Sequence, residues 1–426
     1  MPARGQDVVI TGLGPITSIG CGVAAFWDGI RRGASGVRRL EFPWFRSRGF
    51  RSRLGAPVDD PDPAALGLSP READLLDPAS RFALAAAALA LEDAGLSPRS
   101  SEALEGVDAD RVGVVLGTGI GGLCTLEESH RAWVLGERFS GTLRYALPML
   151  IPNALPAQVA IRFGFRGENK TVSTACAAGT MAIGDAYRLV RDGVLDVALA
   201  GGVEKTLSDV DGYGLLGFDL LRTLSTRNDE PERASRPFDV DRDGFVLGEG
   251  AGLLVLEREE HARARGARAY ARIAGYAATC DAHSMMQPEP GGGQIVRAMR
   301  GALADADLAP GDVGYLNAHG TATRRNDPQE AEAIHRVFGR KSADLLVNST
   351  KAMTGHAIGA AGGIEAITTA LSLARGLVHR CVNLDRPDPA CDLNLPRENR
   401  DVSPLAAMSN SFAFGGHNAC LVLVRA

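Results

Sequence analysis

Residues 171–193, TVSTACAAGTMAIGDAYRLVRDG, and residues 345–376, LLVNSTKAMTGHAIGAAGGIEAITTALSLARG, are two versions of one design. Each opens on a β-rich run, passes through a turn of small residues, and continues into a helix. The first turn holds Cys176; the second holds Lys351 and His356. The echo extends upstream. An Ala-rich helical stretch, SRFALAAAALALEDAGLSP (80–98), leads to the apolar strand RVGVVLGTG (111–119). In the second half IVRAMRGALADADLAPGDVGYLNAHGTAT (295–323) runs through helix, turn, strand and Gly-containing loop in the same order. A repeat on this scale sets the whole fold. Strand–helix alternation with short β-branched strands predicts α/β sheets covered by helices. The charged segment 256–270, LEREEHARARGARAY, predicts the junction, with halves at 1–257 and 258–426. Two halves related by pseudo-symmetry bring corresponding turns to one face, which places Cys176 near His319 and His356.

The rest of the composition removes alternatives. At 426 residues the chain exceeds one average domain, in keeping with a duplicated unit. A net charge of −5 with no long Lys/Arg run gives no field for nucleic acid. The N-terminus enters a strand-like run at 7–11 with no signal-peptide pattern, and the most apolar stretch, 82–91, is too short to span a bilayer. Seven widely spaced cysteines without a Cys-x-x-Cys pair point to reduced thiols in a cytoplasmic protein, with neither a disulfide framework nor a metal site.

Cys176 stands in STACAAGT just before a helix expected over 177–190. A thiol at a helix start faces free N–H groups and the positive end of the dipole, which favours the thiolate, the nucleophilic form. A single cysteine is more often a small buried hydrophobe; its turn and the two histidines reverse that reading. His319, in NAHGTAT, ends the strand VGYLN, and His356 lies where Gly and Ala crowd a helix start. A lone histidine is usually structural, but two of eight on Gly-punctuated strand-to-helix turns point to chemistry. In NSFAFGGHN (410–418), paired glycines let the backbone approach a ligand, or simply turn the chain before a final strand ACLVLV. One rival is Gly117-x-Gly119-x-x-Gly122, a dinucleotide-type fingerprint whose acidic partner would be Glu137. No second strand supports it there.

These segments together resemble the β-ketoacyl-ACP synthase family, in its β-ketoacyl-ACP synthase II-like branch with a Cys–His–His site. The likeness spans nearly the whole chain: VVITGLGPITSIG, TACAAGT, GGVE, LSTRND, ASRPFDVDRDGFVLGEGAG, AHGTAT, KAMTGHAIGAAGG and NSFAFGG. The resemblance implies a thiolase-type fold, a duplicated five-layer α/β/α/β/α architecture, usually dimeric. It implies decarboxylative condensation of malonyl-acyl carrier protein with an acyl chain held as a thioester on Cys176. His319 and His356 then stabilise the enolate, and Lys351 and Glu330 orient them. The backbone N–H groups of Cys176 and Phe414 hold the oxyanion, with Phe414 as gate. Thr321 and Thr323 bind the phosphopantetheine arm, and Leu126, Met149, Leu150 and Phe412 line the acyl pocket. Arg222 and Arg71 dock the carrier. No bound cofactor is implied, only phosphopantetheine carried by the acyl carrier protein.

Relatives differ in ways this chain can be tested against. Ketoacyl synthase III and chalcone-synthase-like enzymes have asparagine at the position of His356, thiolases use a second, late cysteine, and chain-length-factor subunits lack the nucleophile. Two departures from the fatty-acid enzymes also stand out. After HGTAT those enzymes continue Pro-Ala-Gly-Asp, whereas this chain has Arg324-Arg325-Asn326-Asp327. In SPREADLLDP, Asp74 and Leu75 replace basic docking types. The first departure resembles the ketosynthase (KS-alpha) subunits of type II polyketide synthases. It favours polyketide or polyene chain building, as a homodimer or with a chain-length-factor-like subunit. The alternatives are the housekeeping elongating synthase of fatty-acid synthesis and a non-catalytic length-control subunit.

Overall fold

Strand order carries the architecture. The computed structural model of the chain describes residues 6–46, 49–96, 107–136 and 141–426. Among them ten strands build one mixed sheet: β1 (Val8–Thr17), β2 (Val112–Gly117), β3 (Asn169–Val172), β4 (Val197–Glu204), β5 (Gly250–Arg258), β6 (Ala271–Cys280), β7 (Val313–Asn317), β8 (Leu346–Asn348), β9 (Ala406–Ala413) and β10 (His417–Val424). The two-residue strand Gly20–Cys21 folds back on β1 as an eleventh. From the centre outward the first half reads β1-β5-β4-β2-β3, and the second β6-β10-β9-β7-β8. In each, the first strand pairs antiparallel with the fifth and the fifth antiparallel with the fourth. The fourth then pairs parallel with the second, and the second parallel with the third. The sequence echo is therefore a repeat of topology. The halves join where β1 meets β6 antiparallel, Val8 opposite Ile273.

Eight helices matter to the layers: α1 (Pro78–Asp93), α2 (Leu123–Val134), α3 (Ala154–Phe163), α4 (Ala178–Arg191), α5 (Tyr213–Leu220), α6 (Gly293–Ala306), α7 (Asn326–Phe338) and α8 (Ala361–Arg375). Side chains alternate across each strand, and the core divides accordingly. Ala198, Ala200, Leu254 and Leu256 face a central core with Ile183 of α4 and Ile367 of α8. Val197, Leu199, Leu253 and Val255 face the opposite way, against α1 and α3. In the second half Leu421 and Leu423 turn to the same central core, while Cys420 and Val422 face α6 and α7. The result is a five-layer α/β/α/β/α stack of the thiolase type. Strands buried on both faces explain why the sequence shows apolar runs rather than alternation. The halves also share a packing device. A Cβ on Gly12 of β1 would stand 2.1 Å from the Ala90 carbonyl of α1, and one on Gly275 of β6 2.3 Å from the Ala302 carbonyl of α6.

The helix expected over 177–190 begins one residue later, and a 3-10 turn, Ala175–Ala177, precedes it. The charged stretch 256–270 ends β5, forms a short helix, Glu259–Ala264, and feeds β6. Among the described residues no helix is long and apolar enough to cross a membrane.

Candidate active site

The third strand of each half delivers one reactive turn. β3 leads to Cys176 and then α4; β8 leads to Lys351, His356 and then α8. His319 follows β7, the second strand of its half, and its counterpart after β2 is Gly119. That pairing disposes of the dinucleotide reading. The buried carboxylate of Glu204 accepts from the N–H groups of Gly119 at 2.6 Å and Ile120 at 3.2 Å, occupying the amides a phosphate needs. Glu137 lies outside the described residues. In the second half Glu330 does the equivalent, accepting from the N–H groups of His319 and Gly320, both at 2.9 Å. Glu330 thus orients His319 through its backbone, with Asn410 bonded at 3.3 Å behind it.

Backbone strain concentrates here. Ala175 (φ 48°), Arg222 (φ 56°), Ala322 (φ 62°) and Ile358 (φ 44°) all occupy the left-handed region. For a β-branched residue such as Ile358 this costs most. Surrounding structure must hold such residues in place, and they cluster at working sites.

The buried side chains of His319 and His356 meet edge to face, ring centroids 5.5 Å apart. Phe412 lies 5.7 Å from His319 and Phe245 5.1 Å from His356. Lys351, also buried, donates from Nζ to the His319 carbonyl at 2.7 Å, lies 3.4 Å from its Nδ1, and pairs with Glu365 of α8. An ammonium against Nδ1 leaves the ring proton on Nε2. His356 is fixed by its backbone: its N–H donates to Val246 at 2.7 Å and its carbonyl accepts from Gly248 at 3.0 Å.

Burial governs the charges. It holds both histidines well below their ordinary range, with the Lys351 cation pushing the same way, so both rings are neutral. It also pushes the Cys176 thiol up to about 12, only partly offset by Lys351. Burial thus works against the thiolate that the helix start favours. The cysteine sits in the tight turn ahead of α4 with 6% exposure, and losing water outweighs the dipole. Glu365 is raised by burial to about 7, against the pull of Lys351.

One cavity of about 490 Å³ collects Cys176, His319, His356, Thr321, Thr323, Phe412, Phe414 and Arg222 on its wall. The hydroxyls of Thr321 and Thr323 lie 3.0 Å apart, and Phe414 stacks on Phe218, another wall residue. Leu126, Met149 and Leu150 do not line this cavity; Leu126 is 45% exposed on α2. Arg71 is exposed on the short helix Pro70–Ala73, also off the cavity wall. Two residues escaped the sequence reading, Glu365 and Glu204. Their signal was present: each is a lone acid inside an otherwise apolar or small-residue run, AAGGIEAI and ALAGGVE.

A duplicated five-layer fold that converges a cysteine and two uncharged histidines on one cavity defines a thiolase-fold condensing enzyme. The comparisons with known proteins agree. The β-ketoacyl synthase N-terminal domain matches residues 5–262 and the C-terminal domain residues 270–385, so the chain belongs to the β-ketoacyl synthase family of acyltransferases. It is 43% identical over 417 residues to 3-oxoacyl-[acyl-carrier-protein] synthase 2 of Synechocystis, covering 98% of this chain and 97% of that one. It is 41% identical over 424 residues to the Staphylococcus aureus enzyme of the same name, covering 99% and 98%. Among solved structures it resembles the ishigamide ketosynthase/chain length factor (TM-score 0.89, 33% identity, all of both chains). It also resembles a type II polyketide synthase ketosynthase, bound to the hexaketide, in complex with its acyl-carrier protein (TM-score 0.88, 34% identity, 99% of this chain and 100% of that one). Fatty-acid and polyketide enzymes thus stand side by side among its relatives.

Proposed function

We propose that this condensing enzyme carries its acyl chain on Cys176 and uses His319 and His356 to decarboxylate malonyl-acyl carrier protein. The observation that carries the reading is the pair of neutral histidines on the wall shared with a buried thiol. In the first stage the Cys176 proton passes to a neutral imidazole as sulfur attacks the acyl thioester. The Cys176–acyl bond forms, the carrier's thioester bond breaks, and the proton goes to the departing pantetheine sulfur. In the second, malonyl thioester loses carbon dioxide and its electron pair becomes an enolate. Imidazole N–H groups, including His319 Nε2–H, hold the enolate oxygen as preorganised donors. The carbanion then attacks the Cys176 thioester, whose oxyanion is held by the N–H groups of Cys176 and Phe414. Collapse breaks the Cys176–acyl bond and yields a β-ketoacyl chain two carbons longer, and the freed thiolate takes a proton from water to restore the thiol. Thr321 and Thr323 hydrogen-bond the phosphopantetheine arm. No resident cofactor takes part.

The pathway we propose is polyketide or polyene chain building on a discrete carrier. The Arg324–Asp327 departure and the two polyketide ketosynthases among the structural neighbours support it. The assembly we propose is a homodimer or a pair with a chain-length-factor-like subunit. β3 ends the sheet, and Trp133, Leu135, Tyr145, Leu147 and Ile161 expose apolar surface on segments near it. A partner there would also complete an acyl pocket around Leu126, Met149 and Leu150. Intact-protein mass spectrometry with a panel of acyl carriers tests the reading. An acyl mass gain in wild type, absent in Cys176→Ala, supports it; the same adduct in the variant sinks it. Failure to rescue a strain lacking its elongating synthase separates this pathway from housekeeping synthesis.

A further inference from the structure

The loop after Thr323 presents two kinds of arginine chemistry. Arg242, buried beneath it, donates to the Thr323 carbonyl at 3.0 Å and pairs with Asp388 at 2.6 Å. The Gly244 N–H donates to the Ala322 carbonyl at 3.1 Å, and the Asn326 N–H to the Thr323 hydroxyl at 3.2 Å. The backbone of 322–326 is therefore clamped from below. Above it Arg324 and Arg325 are exposed and line the mouth of the Cys176 cavity, with the exposed Arg222 also on that wall. Among the described residues none of these three guanidinium groups makes an ion pair or side-chain hydrogen bond.

Structure alone does not call for this arrangement. Arg325 is the N-cap of α7 and makes no side-chain cap bond there. Cations next to a helix start oppose the dipole and cost stability, and serine, threonine, asparagine or aspartate would cap it better. The carboxylates on the same wall do not neutralise the arginines. Asp243 accepts from the Thr226 N–H at 3.0 Å, and Asp281 from the Glu289 N–H at 3.0 Å and Asn418 at 2.7 Å. On a chain of net charge −5, three unpaired guanidinium groups converge on one opening.

We infer that Arg324 and Arg325, with Arg222, grip the phosphate of the phosphopantetheine arm as the thioester enters the cavity. This rests on the function proposed above. A planar guanidinium offers paired N–H donors that match phosphate oxygens. The phosphate marks the outer end of the arm whose sulfur must reach Cys176, so a grip at the mouth sets the depth of the thioester. Both arginines are positioning residues; neither touches the reacting atoms.

The test measures acylation of Cys176, by intact mass, from three donors carrying the same acyl group: a pantetheine thioester without phosphate, a phosphopantetheine thioester, and the full acyl carrier protein. The paired variant Arg324→Ala/Arg325→Ala is compared with wild type, with Arg324→Lys/Arg325→Lys as the conservative version. The expected result is an apparent KM raised about tenfold or more for the two phosphate-bearing donors. The maximal rate stays within about twofold, the lysine version recovers part of the loss, and the pantetheine donor is unaffected. An unchanged KM for the phosphopantetheine donor overturns the inference. So does a loss confined to the carrier, which would assign the arginines to the carrier's acidic face, and so does an equal loss on all three donors, which would make their role structural. If wild type, alone and with a chain-length-factor-like partner, takes acyl groups from none of the donors, the proposed acylation of Cys176 itself falls. Calorimetric binding of free phosphopantetheine, weaker in the alanine variant or equal to wild type, then decides the arginine question separately.

Discussion

The ammonium of Lys351 lies 3.4 Å from Nδ1 of His319 and bonds that residue's carbonyl at 2.7 Å. One cation therefore fixes both the ring tautomer and the backbone that carries it. Its remaining partner, Glu365, is buried and depends on that charge.

Lys351→Ala leaves Glu365 buried without a partner, and removing one member of such a pair costs about 3–5 kcal/mol. Replacing both, as Lys351→Met/Glu365→Leu, should recover most of that stability in urea unfolding. Carbon dioxide release from malonyl carrier should stay about a hundredfold low in both variants, because His319 has lost the group that fixes its tautomer. A fully active double variant would show that the pair is scaffolding alone.

Thiol chemistry gives a second test. With the Cys176 thiol pushed up to about 12, its thiolate fraction rises about tenfold per pH unit through neutrality. Alkylation by iodoacetamide, followed on the Cys176 peptide, should therefore climb steadily from pH 7 to 9. A rate that levels off near neutral pH would mean a standing thiolate–imidazolium pair and contradict the neutral resting site.

What the sequence disclosed and what it hid follow one physical rule. The turns around Cys176, His319 and His356 were legible because close approach of backbone demands small residues, and small residues leave a visible pattern. The repeat was legible because both halves run through helix, turn, strand and small-residue turn in the same order, and Gly12 and Gly275 meet their helices at matching places in the structure. The order β1-β5-β4-β2-β3 was not, since pairing between distant strands has no local signature. Glu365 went unnoticed because its burial depends on the helix lying at the centre of five layers. The burial of Cys176 was hidden for a related reason: a helix end is visible in sequence, whereas loss of water is a property of the whole site.

The central helices make a packing prediction. A Cβ on Gly179 of α4 would stand 2.8 Å from the Gly359 carbonyl and 2.9 Å from the Gly363 N–H, between Cys176 and the turn after His356. Gly179→Ala should cost about 1–3 kcal/mol through overpacking and slow acyl transfer by displacing that turn. Gly217 of α5 is the contrast, with nothing within 4 Å of its added Cβ. Gly217→Ala should gain about 0.5–1 kcal/mol from helix propensity. Thermal unfolding of the two variants checks the opposite signs, and equal shifts would mean the close approach is not rigid.

His379 predicts an acid limb of stability that is independent of catalysis. It is fully buried, its Nδ1 lies 2.8 Å from the Arg380 carbonyl, and its Nε2 has no partner among the described residues. Burial pushes it from 6.5 down to about 4. Below pH 6.5 the unfolded chain takes up a proton that the folded chain refuses, so stability falls as pH drops from about 6.5 to about 4. The whole window is worth about 3 kcal/mol. Glu204 and Glu365, both raised by burial to about 7, act with the opposite sign, losing stability as pH rises toward 7. They are common to wild type and His379→Gln, so they cancel in the comparison. The stability of His379→Gln relative to wild type should therefore rise by about 3 kcal/mol between pH 7 and pH 4. Urea unfolding at the two pH values measures it, and parallel pH profiles for the two proteins would show that His379 is protonated in the folded chain.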